Sequence, residues 1–188
     1  MNPLMHLITP LGWMLRNKRP DPALSVRNNP TLSAPRTIEL TSPAFPDGGT
    51  IPDRNCSMDL GPNLCPALAW TGVPDGTRRL LFVLEDIDVP MSRPVLHTIA
   101  LIDPAVSALA EGEMKPGHPS IRFIPAQRGN QRYFGPRPLP GHGVHHYGFH
   151  LYALDRALPD PLTGMADVLT AAAGHVLADG FLEGVKVG

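Results

Sequence analysis

The sequence predicts a mostly-β protein, a β-sandwich with peripheral helices, on three observations. Twenty-three prolines and 18 glycines are spread along 188 residues, and with proline at more than twice its usual ~5% the chain must turn often. RRLLFVLED, PVLHTIALID and HHYGFHLYALD carry apolar runs of strand length, the pattern of strands covered on both faces. Clear helical periodicity is confined to MADVLTAAAGHVLADG near the C-terminus, so a helical bundle is excluded.

The elements follow in chain order. In MNPLMHLITPLGWML, Leu4, Leu7, Leu11 and Leu15 recur at near-helical spacing. They predict an amphipathic helix that packs on the protein's own surface or on a second subunit, with membrane-surface association as the weaker option. The basic residues Arg16, Lys18 and Arg19 follow the apolar run rather than precede it, and no small-residue cleavage site comes after. A secretory signal is therefore not expected, and the run is too short and proline-broken to span a bilayer. Residues 17–36 read as an irregular linker, which divides the chain into a 1–36 extension and a 37–188 domain. RTIELTSPAF gives an opening strand that turns at PDGG, and PALAW gives a second with Trp70 in the core. The three apolar runs supply the central strands. Val168, Leu169, Ala172, Ala173 and Val176 form one face of the C-terminal helix, with Gly180 as its stop. FLEGVKVG alternates and closes the chain as a last strand.

Bulk properties exclude several functions. A formal net charge of -1 and a pI near 6.7 give no attraction to nucleic acid or acidic membrane. Cys56 and Cys65 are too few for a zinc site or a disulfide scaffold. They read as free buried thiols of a reducing, cytoplasmic setting or as one loop-closing disulfide. No P-loop, dinucleotide-binding glycine pattern, zinc signature or Gly-x-Ser-x-Gly elbow is present, and no cofactor is expected.

Four of the eight histidines crowd into GHGVHHYGFH, residues 141–150. If residues 144–154 form a strand, period-two geometry sends His145, Tyr147, Phe149, Leu151 and Ala153 to one face. Val144, His146, Gly148, His150 and Tyr152 go to the other. His146 and His150 then stand roughly 13 Å apart, too far to share one zinc ion, and no metal site is expected. His145 and Tyr147 at the mouth of an apolar face suit either a small pocket with placed donors or a hydrogen-bonded core rim. LEDIDVP puts Asp86 and Asp88 two apart at the end of a buried strand, and His97 opens the next. His175, on the expected helix, could line the far wall of such a pocket or sit at the surface.

EDIDVP, LHTIALI and GPRPLPGHGVHHYGF, in that order and spacing, resemble the phosphatidylethanolamine-binding protein family, within it the bacterial Raf kinase inhibitor-like group. The resemblance runs from about residue 37 to 187, with PALAW upstream and GHVLADGFLEG downstream. It implies a sandwich of two antiparallel sheets with one or two helices on the C-terminal side. It also implies a small anion pocket in which Asp86, Asp88, Pro90, His97, Pro138, Gly141, His145 and Tyr147 bind the ligand, and a cis Val89–Pro90 bond that aims the Asp pair inward. The chain departs from the family pattern at Ile87, Val89, Leu96, Leu139 and His146. His146 stands where the family usually has an arginine, a candidate partner for the second acid. These changes make the rim more apolar and remove one fixed cation.

Beside a purely structural or interaction protein whose pocket is vestigial, two functions remain open. One is a binding protein for phosphate or a phosphorylated or carboxylated small molecule, with no protein partner inferable from fold likeness. The other is an enzyme working by proton transfer, or by a cyclisation so assisted, on a small apolar metabolite. In that case His145 or His97 would be the acid or base, Asp86 the orienter and Tyr147 an oxyanion donor. The apolar N-terminal segment leaves room for a homodimer.

Overall fold

The structure, a computed structural model, describes residues 3–57 and 60–188, and side chains from residue 7 onward. It opens with helix α1, Pro3–Leu15. The strands are β1 (Glu39–Thr41), β2 (Gly49–Thr50), β3 (Leu68–Thr71), β4 (Arg79–Asp86), β5 (Val95–Ile102), β6 (Ala108–Leu109), β7 (Ile121–Ile124) and β8 (Val144–Leu154), followed by helix α2 (Met165–Ala172) and strand β9 (Val176–Val187). A three-stranded sheet in the order β1-β3-β6 packs over a six-stranded one in the order β2-β9-β8-β4-β5-β7. Neighbours are antiparallel except at one edge, where β2 runs parallel to β9.

The three apolar runs are the centre of the large sheet, β8-β4-β5, and both of its faces are covered. Toward the small sheet, Phe82, Leu84, Ala100, Phe149 and Leu151 form the main core with Leu40, Trp70 and Leu109. On the opposite face, Leu81, Val83, Ile99 and Tyr152 pack with Val26 and Leu32 from the N-terminal segment and Val168 and Ala172 from α2. Burial on both sides explains why these strands show no polar alternation.

Three expectations need correction. The segment read as an irregular linker holds three successive one-turn 3-10 helices, Pro22–Leu24, Val26–Asn28 and Pro30–Leu32. Each is opened by a polar residue, Asp21, Ser25 or Asn29, whose side chain accepts from the N–H two residues on. These are N-caps at four-residue intervals. The C-terminal helix does not reach Gly180. It ends at Ala172, Gly174 takes a positive φ of 75°, and Val176 and Gly180 lie in β9, Gly180 opposite Leu151 of β8. Pairing with β8 along its whole length outweighs the helical spacing of VLADG.

Finally, α1 forms and packs on the protein's own surface, but not by Leu7 and Leu11. Leu7 and Leu11 are 76% and 49% exposed, and the side chain of Leu4 lies outside the described residues. The contact is made at Gly12, where an added Cβ would sit 1.9 Å from the Pro140 carbonyl oxygen, and at Gly141, where it would sit 2.5 Å from that of Thr9. Two glycines let the helix meet the 138–142 loop backbone to backbone.

Candidate functional site

The alternation expected for β8 is observed. His145, Tyr147, Phe149 and Leu151 are buried on the face toward the small sheet. Asp86 pairs with Tyr147 in register and lies on the same face at the end of β4, fully buried. His97 arrives by a different route. Counted by twos from Ile99 and Leu101, it would point to the opposite face. A β-bulge intervenes: Leu84 pairs with Thr98, but Glu85 pairs with Leu96, so His97 is the extra residue. The bulge re-aims it, and its ring meets Tyr147 edge-on at 5.6 Å.

Asp86, His97 and His145 line a cavity of about 650 Å³, together with Pro90 and Pro138. Tyr147 lies beneath this floor. It is buried, stacks under His145, and its hydroxyl accepts from the Arg137 N–H at 3.2 Å. Burial, with Asp86 alongside, holds its phenol well above the usual range. Gly141 serves the contact with α1 and is not a wall residue. Asp88 also lies off the cavity. The Asp86 Oδ1 accepts from the Asp88 N–H at 2.9 Å, and this Asx turn swings the second carboxylate outward. The two acids therefore do not converge. Val89–Pro90 is trans, and the cis bond of the described chain is Asp160–Pro161. In place of a cis bond, that Asx turn and a Met91 N–H to Val89 carbonyl contact of 2.8 Å set the geometry.

Asp88 finds two partners, one of them a fixed cation. Arg19 donates from Nε to Oδ1 at 2.8 Å, and the His146 ring and N–H lie 2.7 and 2.8 Å from Oδ2. Burial alone would push the Asp88 carboxyl up, but His146 and Arg19 outweigh it and hold it below its ordinary value. The cation missing at His146 is thus replaced by one from the N-terminal segment.

The same arginine begins a chain of contacts that ends at the pocket. Arg19 NH1 lies 2.9 Å from His142 Nε2, His142 Nδ1 lies 2.8 Å from His145 Nε2, and His145 Nδ1 lies 2.9 Å from Asp86 Oδ2. A guanidinium only donates. With Arg19 donating, Nδ1–H of each neutral imidazole donates to the next acceptor and the carboxylate accepts last. One added proton is also accommodated: His145 then donates from both nitrogens, and His142 Nε2–H turns to the Lys18 carbonyl at 3.1 Å. Burial first, then Arg19 and His145, lower the pKa of His142. Burial also lowers that of His97, against the pull of Asp86. His97 Nδ1 is committed to the Phe134 and Gly135 carbonyls at 3.2 and 3.1 Å, which leaves Nε2 to a ligand.

Sequence reasoning missed His142 and Arg19. It also missed a second polar cluster on the far face of β4. There Glu85, fully buried, accepts from the Ser25 hydroxyl at 2.6 Å and the Val26 N–H at 3.0 Å, with His150 Nε2 at 3.6 Å. His146 and His150 do face away from the cavity, as expected. His175 lies in the turn before β9, half-buried and paired with Asp155 at 2.7 Å, and it takes no part in the pocket wall. Cys56 and Cys65 are free and buried, which decides against the disulfide. Burial pushes the Cys56 thiol up to about 11. Among the described residues no helix is long and apolar enough to cross a membrane.

A two-sheet sandwich with a buried acid–histidine pocket at the end of its large sheet defines a class of small-ligand-binding proteins. The profile of the phosphatidylethanolamine-binding protein family matches residues 41–186, and the chain belongs to that family. An archaeal relative from Methanothermobacter thermautotrophicus, named only as a UPF0098 protein, is 36% identical over 152 residues, 79% of this chain and 97% of its own. A Mycobacterium tuberculosis relative with the provisional name lipoprotein LppC is 36% identical over 162 residues, 82% of this chain and 77% of its own. A solved structure from Chlamydia trachomatis, described as a candidate homologue of phosphatidylethanolamine-binding protein, superposes with a TM-score of 0.72 at 30% identity, covering 80% of this chain and 97% of that one.

Proposed function

We propose that this chain binds a small anionic molecule, a phosphate or a phosphorylated or carboxylated compound, in the Asp86–His97–His145 cavity. One observation carries the reading: three buried ionisable side chains converge on one cavity of about 650 Å³, with His97 Nε2 left for a ligand. A neutral His97 offers that nitrogen as an acceptor, whereas an anion needs a donor. Binding is therefore coupled to uptake of a proton, taken at His97 or through the His145–His142 pair, and tightens as pH falls. Residues 1–36 act as an arm that completes the 37–188 domain. The free buried thiols support a cytoplasmic setting, and the exposed Leu7, Leu11 and Met14 on α1 support a homodimer.

The test is calorimetric titration with inorganic phosphate and phenyl phosphate at pH 5.5, 6.5 and 7.5, in two buffers of different ionisation enthalpy (about one unit either side of the ordinary histidine pKa). Saturable binding that strengthens toward low pH, takes up a proton and is lost in His97→Gln and His145→Gln is the expected result. Absence of binding at every pH, with the variants folded, overturns it.

A second reading is favoured by the contact chain from Arg19 to Asp86. A proton can pass between His145 and His142 along it, the Arg19–His142 contact giving way to the Lys18 carbonyl, which suits acid–base catalysis by His145 or His97, with Asp86 orienting and Tyr147 held as a donor. Conversion of a bound metabolite by wild type but not by His145→Gln would move the assignment to an enzyme.

A further inference from the structure

The mouth of the cavity is arginine-rich. In a chain of formal charge -1, Arg128, Arg132 and Arg137 line it, against Asp86 as the one acid among the described lining residues. Neither the Arg128 nor the Arg132 guanidinium has a hydrogen-bond or ion-pair partner among the described residues. Both are exposed, and both sit on a loop fixed in place. Ala126 N–H donates to the Asn130 carbonyl at 2.8 Å, and Asn130 Nδ2 donates to the His97 and Arg132 carbonyls at 3.0 and 2.7 Å. Phe134 N–H donates to Thr98 Oγ1 at 3.0 Å. The loop is thus tied to the strand that carries His97. Arg128 itself takes a positive φ of 54°, a conformation an arginine adopts only where its surroundings impose it.

Apart from these arginines and the floor, the lining is mostly apolar, with Val95, Phe134 and Pro138 among it and Gln127 and Asn130 as the polar exceptions. The cavity therefore has a polar floor, a mostly apolar waist and a cationic lip. We propose that its ligand carries two separated anionic groups, one on the His97/His145 floor and one at the Arg128/Arg132 rim, joined by a short apolar spacer. A guanidinium pair reads phosphate or carboxylate by paired N–H donors, and a mostly apolar waist favours a hydrocarbon link over a sugar. This rests on the anion-binding reading of the floor and names the class of molecule that floor receives.

The experiment titrates the full chain with hexyl phosphate and with the bisphosphates of butanediol, hexanediol and octanediol. On wild type, the best-fitting bisphosphate should bind about tenfold more tightly than hexyl phosphate, the worth of one partly exposed charge-assisted pair, with an optimum in spacer length. The double variant Arg128→Gln/Arg132→Gln should remove that advantage while hexyl phosphate binding stays within about twofold. Equal affinity for hexyl phosphate and every bisphosphate would overturn the two-anion inference and leave the pocket reading standing. A gain indifferent to spacer length, or one that survives the double variant, would reduce the arginines to general attraction and overturn it too. Failure of all four probes would overturn both.

Discussion

Arg19, outside the stretch matched by the family profile, donates to Asp88 at 2.8 Å on the same oxygen pair that His146 holds from inside it. The Arg19 side chain is 35% exposed and that of Asp88 14%, so the pair is partly shielded from solvent and is worth more than a surface contact. Arg19→Ala is expected to lower stability by about 1 kcal/mol in urea denaturation. Arg19→Lys should recover less than half of that, because the fork serves Asp88 and His142 at once and an ammonium does not. Full recovery by lysine would show that only the charge matters.

Glu85 is the most demanding polar group of the far face. Ser25→Ala removes its 2.6 Å donor and leaves one carboxylate oxygen with His150 alone at 3.6 Å. A loss of about 2 kcal/mol is expected. A double-mutant cycle with Glu85→Gln should return a coupling of at least ~0.5 kcal/mol. Additive losses would mean that the contact contributes nothing.

Acid should weaken the fold before the carboxylates titrate. The pKa of His97 is lowered by burial from its ordinary 6.5. Between that folded value and 6.5 the unfolded chain therefore binds more protons than the folded one. Stability rises with pH across this window, is fully regained above 6.5, and is lost as pH drops below it. His142, lowered in the same direction, adds to the slope. Melting temperature followed between pH 7.5 and 5 should fall for wild type and fall less steeply for His97→Gln. Parallel slopes would exclude His97 as a source.

Gly12→Val tests how α1 is docked. The branched side chain would collide with the Pro140 carbonyl, which a Cβ alone approaches to 1.9 Å, so the helix should detach. Trypsin should then cut after Arg16 and Lys18 at least about tenfold faster than in wild type. Unchanged cleavage would mean that the helix is held elsewhere.

The two-faced burial of β4, β5 and β8 was legible in the sequence because period two is simple and their apolar runs are unbroken. The same period correctly divided His145 from His146. It would have failed for His97, since the bulge opposite Glu85 leaves no mark in LHTIALI. Helix α2 was overextended because VLADG satisfies both periods and only pairing with β8 decides between them. The caps Asp21, Ser25 and Asn29 were a local signal that could have been read, at four-residue spacing. Nothing local, by contrast, links Arg19 to a carboxylate 69 positions away. The family resemblance puts Asp88 in the pocket with Asp86, and the Asx turn takes it out.

The segment from Arg19 to Val26 reaches around the edge of one strand end, holding Asp88 by its first residue and Glu85 by its last two. A chain trimmed to residues 37–188 would keep every strand yet leave two acids without these donors, one of them wholly dehydrated. Transplanting this pocket into a relative is therefore not a matter of copying loops. The arm and the acids it holds form one unit, and a change on either side has to be matched on the other.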